Sequence, residues 1–239
     1  MVFLNTILEI LFPSKCVSCG RSGSPLCLTC ISASPLAERE TVNWIFPVFD
    51  YRHPPIKKSL WLLKYSGKKR LAAVFAEIIY EKILEELSDL IILDNFVEPI
   101  LVPIPLSPKR YKERGFNQAE LICREIVRIS KERHLSPDPS PYQGEGCLRR
   151  GEVLILAKNI LIKPKDTEHQ ARLRDRKVRL KNIVGSFAVK NNPQNLALLK
   201  NRNIILIDDI TTTGATLSEA RKILKNAGAR RIIAFTVAH

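Results

Sequence analysis

The chain predicts an α/β fold on a parallel sheet, preceded by a small cysteine-bound appendage. Three observations carry this. Apolar runs at Ile100–Leu106, Ile204–Ile207 and Arg231–Val237 are what strands buried on both faces look like. Between them lie stretches with apolar residues at helical spacing, above all Leu71–Leu90, and strand–helix alternation with short turns makes a parallel sheet. The third is a pair of C-x2-C motifs near the N-terminus, Cys16 with Cys19 and Cys27 with Cys30. The 239 residues divide into an appendage at 1–40 and a main domain at 41–239.

The most informative stretch is Asn203–Leu217, N-I-I-L-I-D-D-I-T-T-T-G-A-T-L. A buried strand, Ile204–Ile207, ends in two carboxylates, Asp208 and Asp209. A hydroxyl-rich turn comes next, Thr211, Thr212, Thr213, Gly214, Ala215 and Thr216. Then Leu217, Ala220, Ile223 and Leu224 mark a helix. A helix N-terminus offers unpaired N–H groups and a positive dipole end, so it seats phosphate. Gly214 lets the backbone approach an anion, and the threonines add donors. Carboxylates only accept, which suits the two hydroxyls of a vicinal diol. A phosphate and a diol at that separation describe a ribose 5-phosphate. Acids at a strand end before Ser/Thr and a helix are also ordinary capping chemistry. The whole string in one register favours the ligand. Such a ligand belongs at the carboxyl ends of the strands.

The two cysteine pairs have the spacing of knuckles that hold four thiolates around a tetrahedral Zn2+, with Gly20, Gly23 and Pro25 for the turns. Two disulfides are the alternative, but nothing marks the chain as secreted. So short a ribbon has almost no core of its own, and metal binding would fold it.

Composition sets wider bounds. Net charge is +14 with pI near 9.7, which favours polyanions or anionic surfaces. No apolar run reaches the roughly 18 residues of a membrane span. Met1–Phe12 is apolar, but it lacks a basic start, carries Glu9 and leads into Pro13 and the cysteines. It reads as a short packed helix and not a signal peptide, which makes the protein cytoplasmic.

In chain order, Thr41–Tyr51, broken by Pro47, reads as an edge strand that Pro54-Pro55 ends. Ile56–Tyr65 is amphipathic, and Lys64-Tyr65-Ser66-Gly67 places donors at a turn. Prolines stop the Ile100 strand, fixing the shape of its end. Lys109, Arg110, Lys112 and Arg114 lead through Gly115-Phe116-Asn117-Gln118 into a helix reaching Ile129. Phe116 could stack on a base or fill a local core. Cys123 reads as a buried thiol. Residues 136–157, rich in proline, serine and glycine at their start, read as a mobile insertion before strands near Val153–Leu156 and Asn159–Ile162. Lys163–Lys181, with Arg172, Arg174, Arg176 and Lys177, is either a solvated helix face or a polyanion surface. Val184–Val189 reads as a strand, and the four histidines share no metal-ligand spacing.

The Asp208–Thr216 string resembles the 5-phosphoribosyl 1-diphosphate (PRPP) motif of the type I phosphoribosyltransferases nearly residue for residue. Further motifs accompany it: K-Y-S-G at 64–67, P-I-P-L at 103–106, R-G-F-N-Q-A-E at 114–120, T-E-H-Q at 167–170 and N-I-V-G-S-F at 182–187. With the four-cysteine ribbon, their order resembles the ComF (ComFC-like) competence family over almost the whole chain outside 136–157. The resemblance implies a zinc ribbon before a phosphoribosyltransferase domain. Asp208 and Asp209 would hold the ribose hydroxyls, and Thr211–Thr216 the 5-phosphate. Pro103, Ile104 and Pro105 would form the diphosphate side, with Arg110 and Arg114 in the flexible-loop region and Mg2+ accompanying PRPP. It also implies handling of single-stranded DNA during uptake. Lys109, Lys112, Phe116, Asn117, Gln118, Arg172, Arg174, Arg176 and Lys177 are then candidate contacts, and a DNA-uptake helicase or other competence proteins candidate partners. The alternative is an active transferase on an unidentified small nitrogenous acceptor.

Overall fold

The computed structural model describes residues 14–38, 42–135, 153–164 and 183–239. The expected N-terminal helix, residues 136–152 and the basic positions Arg172, Arg174, Arg176 and Lys177 lie outside the described residues.

Described strands are β1 (Ile45–Phe49), β2 (Ile100–Pro103), β3 (Ile155–Leu156), β4 (Leu161–Ile162), β5 (Ala188–Val189), β6 (Ile204–Ile210) and β7 (Ile232–Ala238). Described helices are α1 (Leu28–Ser32), α2 (Pro54–Tyr65), α3 (Arg70–Asp94), α4 (Pro108–Arg114), α5 (Gln118–Leu135), α6 (Pro193–Leu199) and α7 (Ala215–Asn226). Five strands form one sheet in the order β1-β7-β6-β2-β3, with every pair parallel. The fold is therefore the expected α/β one, with β1 at an edge. Pro47 is tolerated there because an edge strand can lack a ladder donor.

Successive side chains of a strand point to opposite faces, and β6 buries both. Ile205 and Ile207 pack with Leu101, Phe235 and residues of α2, α3 and α5, including Leu60, Phe75 and Ile122. Ile204 and Leu206 pack with Val102, Ala234 and residues of α6 and α7, including Leu199, Leu217 and Leu224. Helices thus cover both sides, which is why the strand reads as an unbroken apolar run. No helix among the described residues is long and apolar enough to cross a membrane.

The cysteine ribbon does not stand apart. Cys16, Val17 and Leu26 are buried in the same core as α2 and α3. The Lys58 ammonium donates to the Val17 carbonyl at 2.9 Å, and Arg70 donates to Ser14 Oγ at 2.9 Å.

Four local readings differ from the sequence expectation. Pro54 and Pro55 open α2 instead of only closing a strand, because the first helical turn has no N–H bond for proline to lose. The run from Lys109 to Ile129 is two helices. Gly115, at φ +74°, ends α4 in the left-handed conformation that glycine adopts without strain. Of Val184–Val189 only Ala188–Val189 is a strand, and it pairs antiparallel with β4 in a separate two-stranded sheet. Leu154 and Ala157, at the end of the expected insertion, are buried, and Ile155–Leu156 hydrogen-bonds to β2 as the far edge of the main sheet.

Candidate functional site

The site is assembled at the carboxyl ends of β6 and β2. Strand alternation continues past Ile207, so Asp208 leans to the α7 side and Asp209 to the α2 side. Asp208 lies beside the recess formed by Thr211–Leu217, while Asp209 meets the Lys64 ammonium at 2.8 Å. Both line one cavity of about 470 Å3, with Thr212 and Thr216. The two acids and the threonine turn therefore face the same space.

The turn is held from both ends. Thr211 N–H donates to the Ala238 carbonyl at 3.0 Å, and Gly214, at φ +67°, is the N-cap of α7. A side chain at that φ is strained, so glycine lets the chain fold into the helix while its amides stay open. Thr211 Oγ1 is buried without a hydrogen-bond partner.

On the opposite wall, Ile104 N–H donates to the Ile207 carbonyl at 2.9 Å, drawing the loop after β2 against the acid pair. Ile104 and Pro105 line the cavity, whereas Pro103 remains buried in β2. Ser107 caps α4 by accepting from Arg110 N–H. Arg110, Arg114, Asn117 and Gln118 all line the cavity. Asn117 and Gln118 are buried and face inward, away from the open surface where DNA contact was expected of them. Asn117 donates to the Ile104 carbonyl at 2.9 Å and its own oxygen accepts from Ala119 N–H, so one side chain ties the loop to α5. Gln118 Oε1 accepts from Arg114 at 2.9 Å, leaving its buried Nε2 without a partner. Phe116 packs against the core with the Lys69 ammonium 4.9 Å from its ring. Lys109 and Lys112 are exposed on α4.

Several cavity residues escaped the sequence reading. Lys64 was visible only as a donor near a turn, since its partner lies far along the chain. Tyr65 and Trp61 join the wall from α2, and Lys163 enters after β4, stacked 5.1 Å over Phe187.

Burial, then the charge of Asp209, pushes the Asp208 carboxyl up to about 8. An acid with a raised folded-state pKa holds a proton that the unfolded chain releases near pH 4. Its contribution to stability is present below that pH and is lost as pH rises towards about 8. Asp208→Asn removes this loss. Urea melts at about pH 5 and about pH 9 should show wild type falling relative to the variant by on the order of a few kcal/mol. Parallel pH dependences would refute the assignment.

In the ribbon, the four cysteine sulfurs lie within 4.8 Å of one another and none is in a disulfide. A tetrahedral Zn2+ with Zn–S near 2.3 Å needs sulfurs about 3.8 Å apart, and Cys19 and Cys27 Sγ are at 3.7 Å. Burial raises the Cys16 thiol, but N–H donors of Cys19, Cys27 and Ser18 outweigh it and bring it to about 6. Such a thiol is ready to ligate. Cys123 is buried in α5, where desolvation pushes its thiol up, and it takes no part.

Comparison with known proteins agrees with this geometry. A phosphoribosyl transferase domain matches residues 162–239. The chain is 25% identical over 224 residues to the DNA utilization protein YhgH of Salmonella typhi, covering 92% of this chain and 81% of that one. It is 28% identical over 179 residues to the competence protein ComFC of Streptococcus pneumoniae (73% and 59%), and 34% identical over 139 residues to ComFC of Bacillus subtilis (58% and 43%). The chain is thus similar to proteins named YhgH and ComFC and carries a match to the phosphoribosyl transferase domain over its C-terminal third. This chain carries both the four-cysteine cluster and the acid–threonine turn.

Proposed function

We propose that the cavity binds PRPP and that the protein handles single-stranded DNA during DNA uptake. The observation that carries the first half is the union, in one cavity of about 470 Å3, of the acid pair and threonine turn with Arg110, Arg114, Lys64 and Lys163. That volume suits a small, highly charged ligand. Amides at the start of α7 and the orphaned Thr211 hydroxyl would take the 5-phosphate. Asp208 and Asp209 would accept from the ribose hydroxyls, with Lys64 holding Asp209 in place. Arg110, Arg114 and the Gln118 amide would face the diphosphate.

The acid pair is a hard-oxygen donor set that fits Mg2+, which when bound with PRPP would screen the leaving diphosphate. In the ribbon, Cys16, Cys19, Cys27 and Cys30 would hold a structural Zn2+.

The names of the relatives and the +14 charge support the DNA half. In a salt series, log K for single-stranded DNA should fall with log salt by about 0.7 per phosphate neutralised. A flat series, or no binding at low salt, would overturn it. The second reading, turnover of PRPP onto a small nitrogenous acceptor, is favoured by both acids being present to stabilise positive charge developing on the sugar. Diphosphate release with candidate acceptors tests it.

A further inference from the structure

The exposed face of α2 carries a pattern that the cavity chemistry does not use. Trp61 and Tyr65 are 56% and 54% exposed at the cavity mouth, one helical turn apart. Their ring centroids are 5.7 Å apart at an interplanar angle of 46°. The Arg114 guanidinium lies 5.1 Å from the Tyr65 ring centroid and donates to its hydroxyl, holding the ring in place. Lys57 is exposed one turn before Trp61 on the same face, and Lys68 is exposed just past the helix end.

Single exposed aromatics are ordinary surface. Two in tandem, one braced by a guanidinium and flanked by ammonium groups, are a sequence-tolerant stacking arrangement. Positions four apart on a helix rise about 6 Å, which an extended nucleic-acid strand can match base by base. A small-molecule ring would instead be enclosed over most of its surface, and these side chains are more than half open. The cations and the net charge suit a polyanion, and Asp209 in the adjacent cavity is already neutralised by Lys64.

We propose that Trp61 and Tyr65 form a two-base stacking platform for single-stranded DNA across the cavity mouth, with Lys57 and Lys68 taking flanking phosphates. The platform rests on the DNA-handling reading but uses residues which that reading did not. It draws the strand past the same opening that admits the sugar phosphate.

The test is anisotropy of labelled oligothymidylate at several salt concentrations. Trp61→Ala and Tyr65→Ala should each weaken binding about 5- to 150-fold, equivalent to about 1–3 kcal/mol per stacked base. Stacking is not ionic, so their salt slope should match wild type, whereas Lys57→Gln should lower it by about 0.7. Trp61→Phe should recover most of the affinity, which separates stacking from misfolding. An abasic oligomer should bind wild type as weakly as the intact strand binds the variant carrying both Trp61→Ala and Tyr65→Ala. Unchanged affinity in both alanine variants, with wild type binding, would overturn the platform and leave the DNA reading standing. So would displacement of the strand by thymidine monophosphate at equal nucleotide concentration, which would mean a site for one small ring. Absence of wild-type binding would overturn both.

Discussion

At about pH 9, where Asp208 has ionised, replacing Asp208 and Asp209 together by asparagine should lower the affinity for PRPP with Mg2+ by roughly two to four orders of magnitude. Hydrogen bonds to charged groups contribute about 1.5–3 kcal/mol each, and one is lost at each acid. The two positions should not behave alike. Asp209 is anchored to Lys64, so Asp209→Asn also leaves that ammonium facing the ligand unbalanced. Asp208 carries its proton until about pH 8, so Asp208→Asn should cost little near pH 6 and progressively more as the wild-type group ionises. Calorimetric titration of the three variants across that range measures both effects. Equal affinity in wild type and the double variant would remove the acids from the ligand.

Stripping metal from the ribbon should lower overall stability by about 3–6 kcal/mol. Val17 and Leu26 are the ribbon's contribution to the shared core, and each fully buried side chain of this kind stabilises by about 1.5–3 kcal/mol. For a chain of this size that corresponds to a fall in Tm of roughly 6–24 °C. Scanning calorimetry with and without a strong chelator, beside metal analysis of the purified protein, checks it. Cys16→Ser or Cys27→Ser should reproduce the chelated state, and Cys123→Ser should not. Protein that holds no zinc, or whose melting ignores the chelator, would contradict the ribbon assignment.

What the sequence could reveal was what is written locally. Ile204–Ile207 announces burial on both faces because every residue is apolar, and the acid–threonine string keeps its parts in one short register. The cysteine pairs are likewise close in sequence. Long-range pairings were not visible in this way. The Lys64–Asp209 ion pair joins positions far apart in the chain, and only the packing of α2 against β6 brings them together. Gln118 reads as a candidate nucleic-acid contact beside basic residues, yet it is buried and lines the cavity. Val153–Leu156 reads as a strand, and Ile155–Leu156 is one, but its place beside β2 at the edge of the main sheet was not visible in the sequence. Pro54-Pro55 carries the same letters whether it stops a strand or starts a helix, and the amphipathic run from Ile56 to Tyr65 decides for the helix.

The central claim is that the threonine turn grips a phosphate while the acid pair reads a vicinal diol. Competition calorimetry against PRPP, using ribose 5-phosphate and its 2-deoxy analogue, tests it most directly. The account predicts that ribose 5-phosphate displaces PRPP and that the deoxy sugar, lacking one of the two hydroxyls, does so at least tenfold more weakly, a loss of about 1.4 kcal/mol or more. Equal competition by the two sugars, or none by either, would contradict it.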